Sequence, residues 1–310
     1  MDELARFIQP DETAAAFLAR SFVEPLRTGL FFLDASFALR PGHVVELSGP
    51  SGCAKTELLA QAAAACVLPA QAYGVSFGGR EENVLVFDLD AKFDTLRLMQ
   101  VLTTRMRDAQ AAQGRSLPEA AGQQVLEACL SRLHVVTCHS SFELLAALKV
   151  IKPTMTRLEA AGGIRLLLID NVSAFYWLDR GLRGPMGNSA AIPGGHDMLR
   201  EGAPLALHRV HAALAAELRK LLRNHRLSIL ATKHAMLGSS NREEGMWAYR
   251  EFLPKPWQEL VTHRVQLRAA PPPPPGGQPA SPLLHFLARW QAQPDVIHHF
   301  AVTDGMILKQ

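Results

Sequence analysis

Long apolar runs, paired cysteines and an excess of charge of either sign are all missing from this 310-residue chain. No apolar stretch approaches the ~18 residues that a membrane span needs. The longest, around Ala60–Leu68 and Leu166–Ile169, are short and bounded by polar residues. The start, MDELARFIQPDE, is acidic and has no apolar core, so no secretory signal is expected. Only four cysteines occur: Cys53, Cys66, Cys129 and Cys138. None forms a CxxC pair, and none sits at a zinc-ligand spacing with histidine. That usage suits a reducing compartment, cytosol or nucleus. Lys plus Arg number 32 against 29 Asp plus Glu, so any nucleic-acid surface must be local. With 48% apolar and 20% charged residues, disorder of the whole chain is excluded. At ~100–200 residues per domain, the length allows one large domain or two small ones.

What is present is an alternation. From Pro41 onward, short apolar runs alternate with longer amphipathic stretches. The runs are His43–Leu47, Asn83–Phe87, Leu133–Thr137, Arg165–Ile169 and Leu227–Ala231, all rich in Val, Ile and Leu. Between them lie helical spacings such as Leu96, Met99, Leu102 and Met106. Strands alternating with helices predict an α/β fold with a mostly parallel central sheet and helices on both faces. Residues 1–40 read as a short helix, roughly Thr13 to Phe22, followed by a linker. Its apolar cluster of Leu30, Phe31, Phe32, Leu33 and Phe37 suggests docking to a partner, the alternative being that it packs on its own core. Residues 41–310 form the core. Residues 178–204 and 238–256 read as loops, and 270–282 holds five consecutive prolines, a stiff insertion. Beyond it, Leu283–Trp290 and Ile297–Leu308 read as C-terminal strands, with Asp304-Gly305 as a hairpin turn.

The strongest motif is Gly49-Pro50-Ser51-Gly52-Cys53-Ala54-Lys55-Thr56, after a predicted strand and before a predicted helix. That is the setting of a phosphate-binding P-loop, in which backbone N–H groups cradle phosphate oxygens. Lys55 would neutralise the β/γ-phosphates of ATP and Thr56 would hold Mg²⁺. Ala54 stands where the pattern has glycine. The strand Leu166–Ile169 ends in Asp170, which would bind Mg²⁺ through water. Another strand runs into Asp88-Leu-Asp90. Asp90 is either the carboxylate that orients an attacking water or a solvated strand end. His234 follows the strand Leu227–Ala231, where a polar residue can sense the terminal phosphate. His139 and His263 near strand ends read as structural, and His208 with His211 lacks a third ligand, so no metal beyond Mg²⁺ is assigned. The two long loops carry Arg180, Arg183 and Arg200, and then Arg242, Arg250 and Lys255 interleaved with Trp247, Tyr249 and Phe252. Such loops either contact single-stranded DNA or are simply solvated.

The segments GPSGCAKTELL, VLVFDLDAKFDTLRL, LLLIDNVSAFYWLDR and KPWQELVTHRV together resemble the RecA-type recombinase paralogues of eukaryotes, over about residues 40–268. The resemblance implies a RecA-like P-loop ATPase core in a nuclear, hetero-oligomeric complex of paralogues. Such complexes help a recombinase assemble on single-stranded or branched DNA during homologous repair of double-strand breaks. It also implies docking to a neighbour through the N-terminal part, and no membrane. The sequence departs from the active pattern in three places: Ala54 for glycine, Asp90 for glutamate and His234 for glutamine. All three fall on catalytic positions. A scaffold that retains ATP binding with weak or absent hydrolysis is therefore favoured. The alternative is an active DNA-stimulated ATPase in strand exchange; an unrelated small kinase would need a lid and an acceptor site, of which the loops give no clear sign.

Overall fold

The computed structural model describes residues 13–15, 18, 24–159, 162–181, 207–237, 247, 249–270, 283–305 and 307–309. In chain order the strands are β1 (Val44–Gly49), β2 (Gln71–Ala72), β3 (Val75–Ser76), β4 (Asn83–Asp88), β5 (Leu133–Thr137), β6 (Ile164–Asp170) and β7 (Ser228–His234). They continue as β8 (Met236–Leu237), β9 (Tyr249–Arg250), β10 (His263–Ala269), β11 (Leu284–Trp290), β12 (Gln293–Val302) and β13 (Ile307–Lys309). Nine of them form one sheet in the order β13-β12-β11-β10-β1-β7-β6-β4-β5. The run from β10 to β5 is parallel, and β11 to β13 continue it antiparallel. β1 and β4 are buried along their whole length, which is why they read as near-continuous apolar runs.

Helices cover both faces. Lys55–Val67, Thr95–Ala112 and Glu119–Ser131 pack on one, and Ser141–Val150, Lys152–Glu159, Leu207–Asn224 and Lys255–Gln258 on the other. Local chemistry fixes their starts. The Asp94 carboxylate accepts from the N–H of Leu96, and the Ser140 hydroxyl accepts from the N–H of Glu143, each an N-cap. All five strands read from apolar runs are present, with ends shifted by a few residues. β10 is a sixth parallel strand that those runs do not contain. The turn at Asp304-Gly305 lies between β12 and β13, as read. All four cysteines are buried and unpaired.

Most of the apolar cluster near the N-terminus packs on this chain's own core, the alternative to docking. Leu30 and Phe32 are 0% exposed and Leu33 1%, within the same core as β1 and the helix Lys55–Val67. The Asp34 carboxylate accepts from both N–H and hydroxyl of Thr28 and from the N–H of Gly29. Leu26 bridges to Leu39, and the Trp290 indole N–H donates to the Phe32 carbonyl. Leu30, Phe32 and Leu33 are therefore core of this chain and not available to a partner, whereas Phe31 and Phe37 are half-buried against that core. Of the helix expected over 13–22, Ala14, Ala15 and Leu18 are helical and Thr13 is not; the other positions, like 271–282, lie outside the described residues.

Replacing Phe32 by Ala should cost about 3–5 kcal/mol, since it removes a fully buried aromatic. Removing residues 1–39 should leave a chain without a cooperative unfolding transition. Denaturant melts followed by circular dichroism check both; a truncated chain that unfolds cooperatively at the original midpoint would contradict this packing.

Candidate functional site

Ligand sites in open parallel sheets lie beyond the carboxyl ends of the strands. Here those ends are level: Gly49 of β1 pairs with His234 of β7, and Asp88 of β4 with Asp170 of β6. After β1 the chain turns through residues 50–54 into the helix Lys55–Val67. The turn uses left-handed backbone at Gly52 (φ 75°) and again at Ala54 (φ 63°). A side chain in that region costs roughly 1–2 kcal/mol, so Ala54 is strained where glycine would be relaxed. Gly49 is irreplaceable for a different reason. A Cβ there would lie 2.4 Å from Cys53 Sγ and 2.6 Å from the Leu267 carbonyl oxygen.

Ala54 offers no side-chain cap, so the first-turn N–H groups and the positive helix end face the cavity. Lys55 folds over this turn, its Nζ donating to the carbonyls of Gly49 (2.9 Å) and Pro50 (2.6 Å). The Thr56 hydroxyl donates to Asp170 Oδ2 at 2.7 Å, and the Thr232 hydroxyl donates to Asp170 Oδ1. Burial raises the Asp170 carboxyl above the usual carboxylate range, the two hydroxyls act against that rise, and Asp90 and Asp88 add to it. Asp88 is buried and accepts from the N–H groups of Lys92 and Phe93, both at 3.2 Å. It thereby shapes the loop that carries Asp90 and Lys92 to the cavity. Asp90 Oδ2 accepts from Lys92 Nζ at 2.8 Å, while Oδ1 is buried without a hydrogen bond. His234 completes the wall. Burial, then Lys55 and Lys92, push its imidazole below the ordinary histidine value, with Asp90 opposing, so it is neutral near pH 7.

The cavity measures about 230 Å³ and is lined by Ser51–Glu57, Asp90, Lys92, Asp170, Asn171 and His234. It brings together the residues expected from sequence: Ser51, Gly52, Cys53, Ala54, Lys55, Thr56, Asp90, Asp170 and His234. Gly49 and Pro50 sit beneath it and supply the carbonyls that hold Lys55. Lys92, Asn171 and Glu57 were not foreseen. A lysine two residues beyond Asp90, in a strand-to-helix loop, was the available signal. Two cations, free helix N–H groups, a hydroxyl and carboxylates in one cavity suit a polyphosphate anion with a hard divalent cation. Lys55 and Lys92 would meet the anion, and Thr56 with Asp170 the cation.

On the other side of the sheet lies a buried ion network. Glu46 of β1 is 0% exposed; its Oε1 meets Lys233 Nζ at 2.9 Å and Arg264 Nε at 3.4 Å, and its Oε2 accepts from the Trp257 indole at 2.6 Å. Lys233 also pairs with Glu251 at 2.7 Å. This fixes the segment after β9 to the strand that carries His234. Among the residues expected to meet DNA, Arg180, Arg250 and Lys255 are exposed, and Arg183 and Arg242 lie outside the described residues. Two of the aromatics grouped with them are used by the fold. Trp247 is buried beneath Arg289, whose guanidinium lies 4.7 Å from its ring, and the Tyr249 hydroxyl donates to the Leu267 carbonyl at 2.8 Å.

Sheet order, two helical layers and the loop after β1 define a RecA-like α/β core. No family model matches the chain. It is 31% identical to the DNA repair protein XRCC2 homolog of Arabidopsis thaliana, over 98% of this chain and 89% of that protein. It is 29% identical to the DNA repair protein XRCC2 of Mus musculus, over 82% of this chain and 81% of that protein. The chain belongs to the XRCC2 family.

Ala54→Gly should stabilise the protein by about 0.5–1 kcal/mol, because relief of the left-handed strain outweighs the entropy glycine adds to the unfolded chain. Urea unfolding of the two proteins measures this; a less stable variant would show that Ala54 is not strained.

Proposed function

We propose that this chain is a nuclear DNA repair protein that serves as a scaffold subunit. In this reading it joins other recombinase paralogues in a complex that helps a recombinase assemble on single-stranded DNA during homologous repair of double-strand breaks. It grips ATP with Mg²⁺ and turns it over poorly. Bound ATP supplies a transferable γ-phosphoryl group. The chain's own part is to hold it: the N–H groups of residues 51–56 and Lys55 on the phosphates, Thr56 and Asp170 on the cation.

The observation that carries this reading is the contrast within one cavity. The groups that grip phosphate and cation are complete, whereas the carboxylate at the water-activating position is short and engaged. Asp90 is one methylene shorter than glutamate and is paired with Lys92. A base acts only within hydrogen-bond reach of its target, and a misplacement of about 1 Å costs on the order of 10²-fold. His234, neutral and in the sensing position, adds a second departure. The names of the relatives support the repair role.

The test is reconstitution with recombinase paralogues. The complex bearing Asp90→Ala should assemble like wild type and speed recombinase loading on single-stranded DNA to the same extent, read by fluorescence of a labelled oligonucleotide. Loss of loading with assembly intact would point instead to an active ATPase.

A further inference from the structure

We propose that the outer surface of the helices Ser141–Val150, Lys152–Glu159 and Leu207–Asn224 binds the phosphate backbone of duplex DNA, with Lys149, Lys152, Lys220 and Arg223 at its centre and Arg209 at its far end. This goes beyond the reading above, which concerns nucleotide and single strands.

Charge marks the surface. Residues 141–159 and 207–226 carry eight Lys and Arg against three Asp and Glu, an excess of five on a chain whose net charge is +3. The rest of the chain is therefore slightly acidic, and the positive field gathers on this layer. Its three carboxylates are all engaged. Glu143 accepts from the N–H of His139, Glu159 meets His225 at 2.8 Å, and Glu217 is buried. Glu217 also ties the helices together: its Oε1 meets Lys220 Nζ at 2.9 Å, and its Oε2 lies 3.7 Å from Lys152 Nζ. The ammonium groups of Lys220, Lys152 and Lys149 hold its carboxyl below the ordinary glutamate value. Three cations around one carboxylate leave charge in excess. The Lys220 and Lys152 side chains stay 53% and 42% exposed, so both still present an ammonium to solvent.

Helical periodicity extends the patch. Arg223 follows Lys220 by about one turn, and Arg209 precedes it by about three turns; all three are exposed. Between Arg209 and Lys220 the same side carries Ala212, Ala213 and Ala216, which leave a broad polyanion free to approach. The dipole of the helix favours Arg223 in its last turn, but Arg209 stands against that dipole in a first turn with no acidic residue. Arg209 to Arg223 span about 21 Å at 1.5 Å per residue. That exceeds the ~12 Å major groove, so the row can meet phosphates of both strands. Lys220 and Arg223 lie in the last two turns of a helix that ends at Asn224, just before β7 begins at Ser228. They therefore sit at the amino end of the sheet, away from the nucleotide cavity at its carboxyl end. The helices Lys152–Glu159 and Leu207–Asn224 contain no Phe, Tyr or Trp. Single strands need aromatic faces for stacking, and protein partners need aromatic or aliphatic anchors. Cations spread over alanines suit a duplex, which keeps its bases covered and is bound through phosphates by counterion release.

Anisotropy of a labelled duplex of about 30 base pairs tests this, with the full chain alone and in complex with its paralogues, over about 50–200 mM KCl. Lys149→Gln, Arg209→Gln and Arg223→Gln together spare the two lysines closest to Glu217. They should weaken duplex binding about 10- to 100-fold near 100 mM salt and flatten the slope of log K against log salt by about 2–3. Paralogue assembly, and binding of an oligothymidylate by the complex, should change less than about 3-fold. Removing the same charge elsewhere, by Arg27→Gln, Arg107→Gln and Arg115→Gln at exposed positions, should do little to duplex binding. Wild-type affinity and slope in the natively folded triple variant would overturn the proposal. Equal loss in the control variant would overturn it too, reducing the effect to net charge. Loss of paralogue binding in place of duplex binding would overturn it in favour of a protein interface, and equal loss of oligothymidylate binding would overturn the choice of duplex. A complex that binds oligothymidylate but no duplex would overturn this inference and leave the reading above standing; the converse would remove that reading and leave this one.

Discussion

One buried carboxylate organises the site. Asp170 ends the central strand β6 at 2% exposure and takes a hydroxyl from each side, Thr56 from the helix that carries Lys55 and Thr232 from β7. Burying a charge without partners is costly; the two hydroxyl donors make it tolerable, and in doing so they lock the helix to the two strands. The spacing between the lysine of the 49–56 loop and the strand ends is therefore set by the group a divalent cation would meet. Asp88 does related work one strand over, where it holds the loop that presents Asp90 and Lys92.

Because side chains alternate across a strand, β7 serves both faces at once. Thr232 bonds Asp170 and His234 lines the cavity, while Lys233 between them meets the Glu46 network and the Phe252 ring. Breaking a buried pair by removing one partner costs about 3–5 kcal/mol, so Glu46 and Lys233 hold the Phe252 ring and the strand that carries His234 in fixed relation. Trp257 and Arg264, both in the KPWQELVTHRV segment, close the network on the same glutamate. This gives a physical reason for that segment to be as distinctive as the 49–56 loop.

Much of this was legible in the sequence, and for identifiable reasons. Strands buried on two faces betray themselves as apolar runs, so β1, β4, β6 and β7 could be read directly, and with them the loop that must follow β1. β10 could not, since Val265 and Leu267 are its only large apolar residues and Arg264, Gln266 and Arg268 alternate with them. The N-terminal cluster announced burial, but a single sequence does not say which surface buries it. Lys92 was hidden for another reason: a lone lysine near an element's end acquires meaning only from what stands opposite, here the Asp90 carboxylate.

The central claim is that the cavity grips a nucleotide that it does not turn over. Calorimetric titration of the paralogue complex with ATP and Mg²⁺, with phosphate release followed in the same sample with and without single-stranded DNA, addresses it directly. The account predicts binding at this subunit that Lys55→Ala removes, and phosphate release from it at background. DNA-stimulated release that Lys55→Ala abolishes would contradict it.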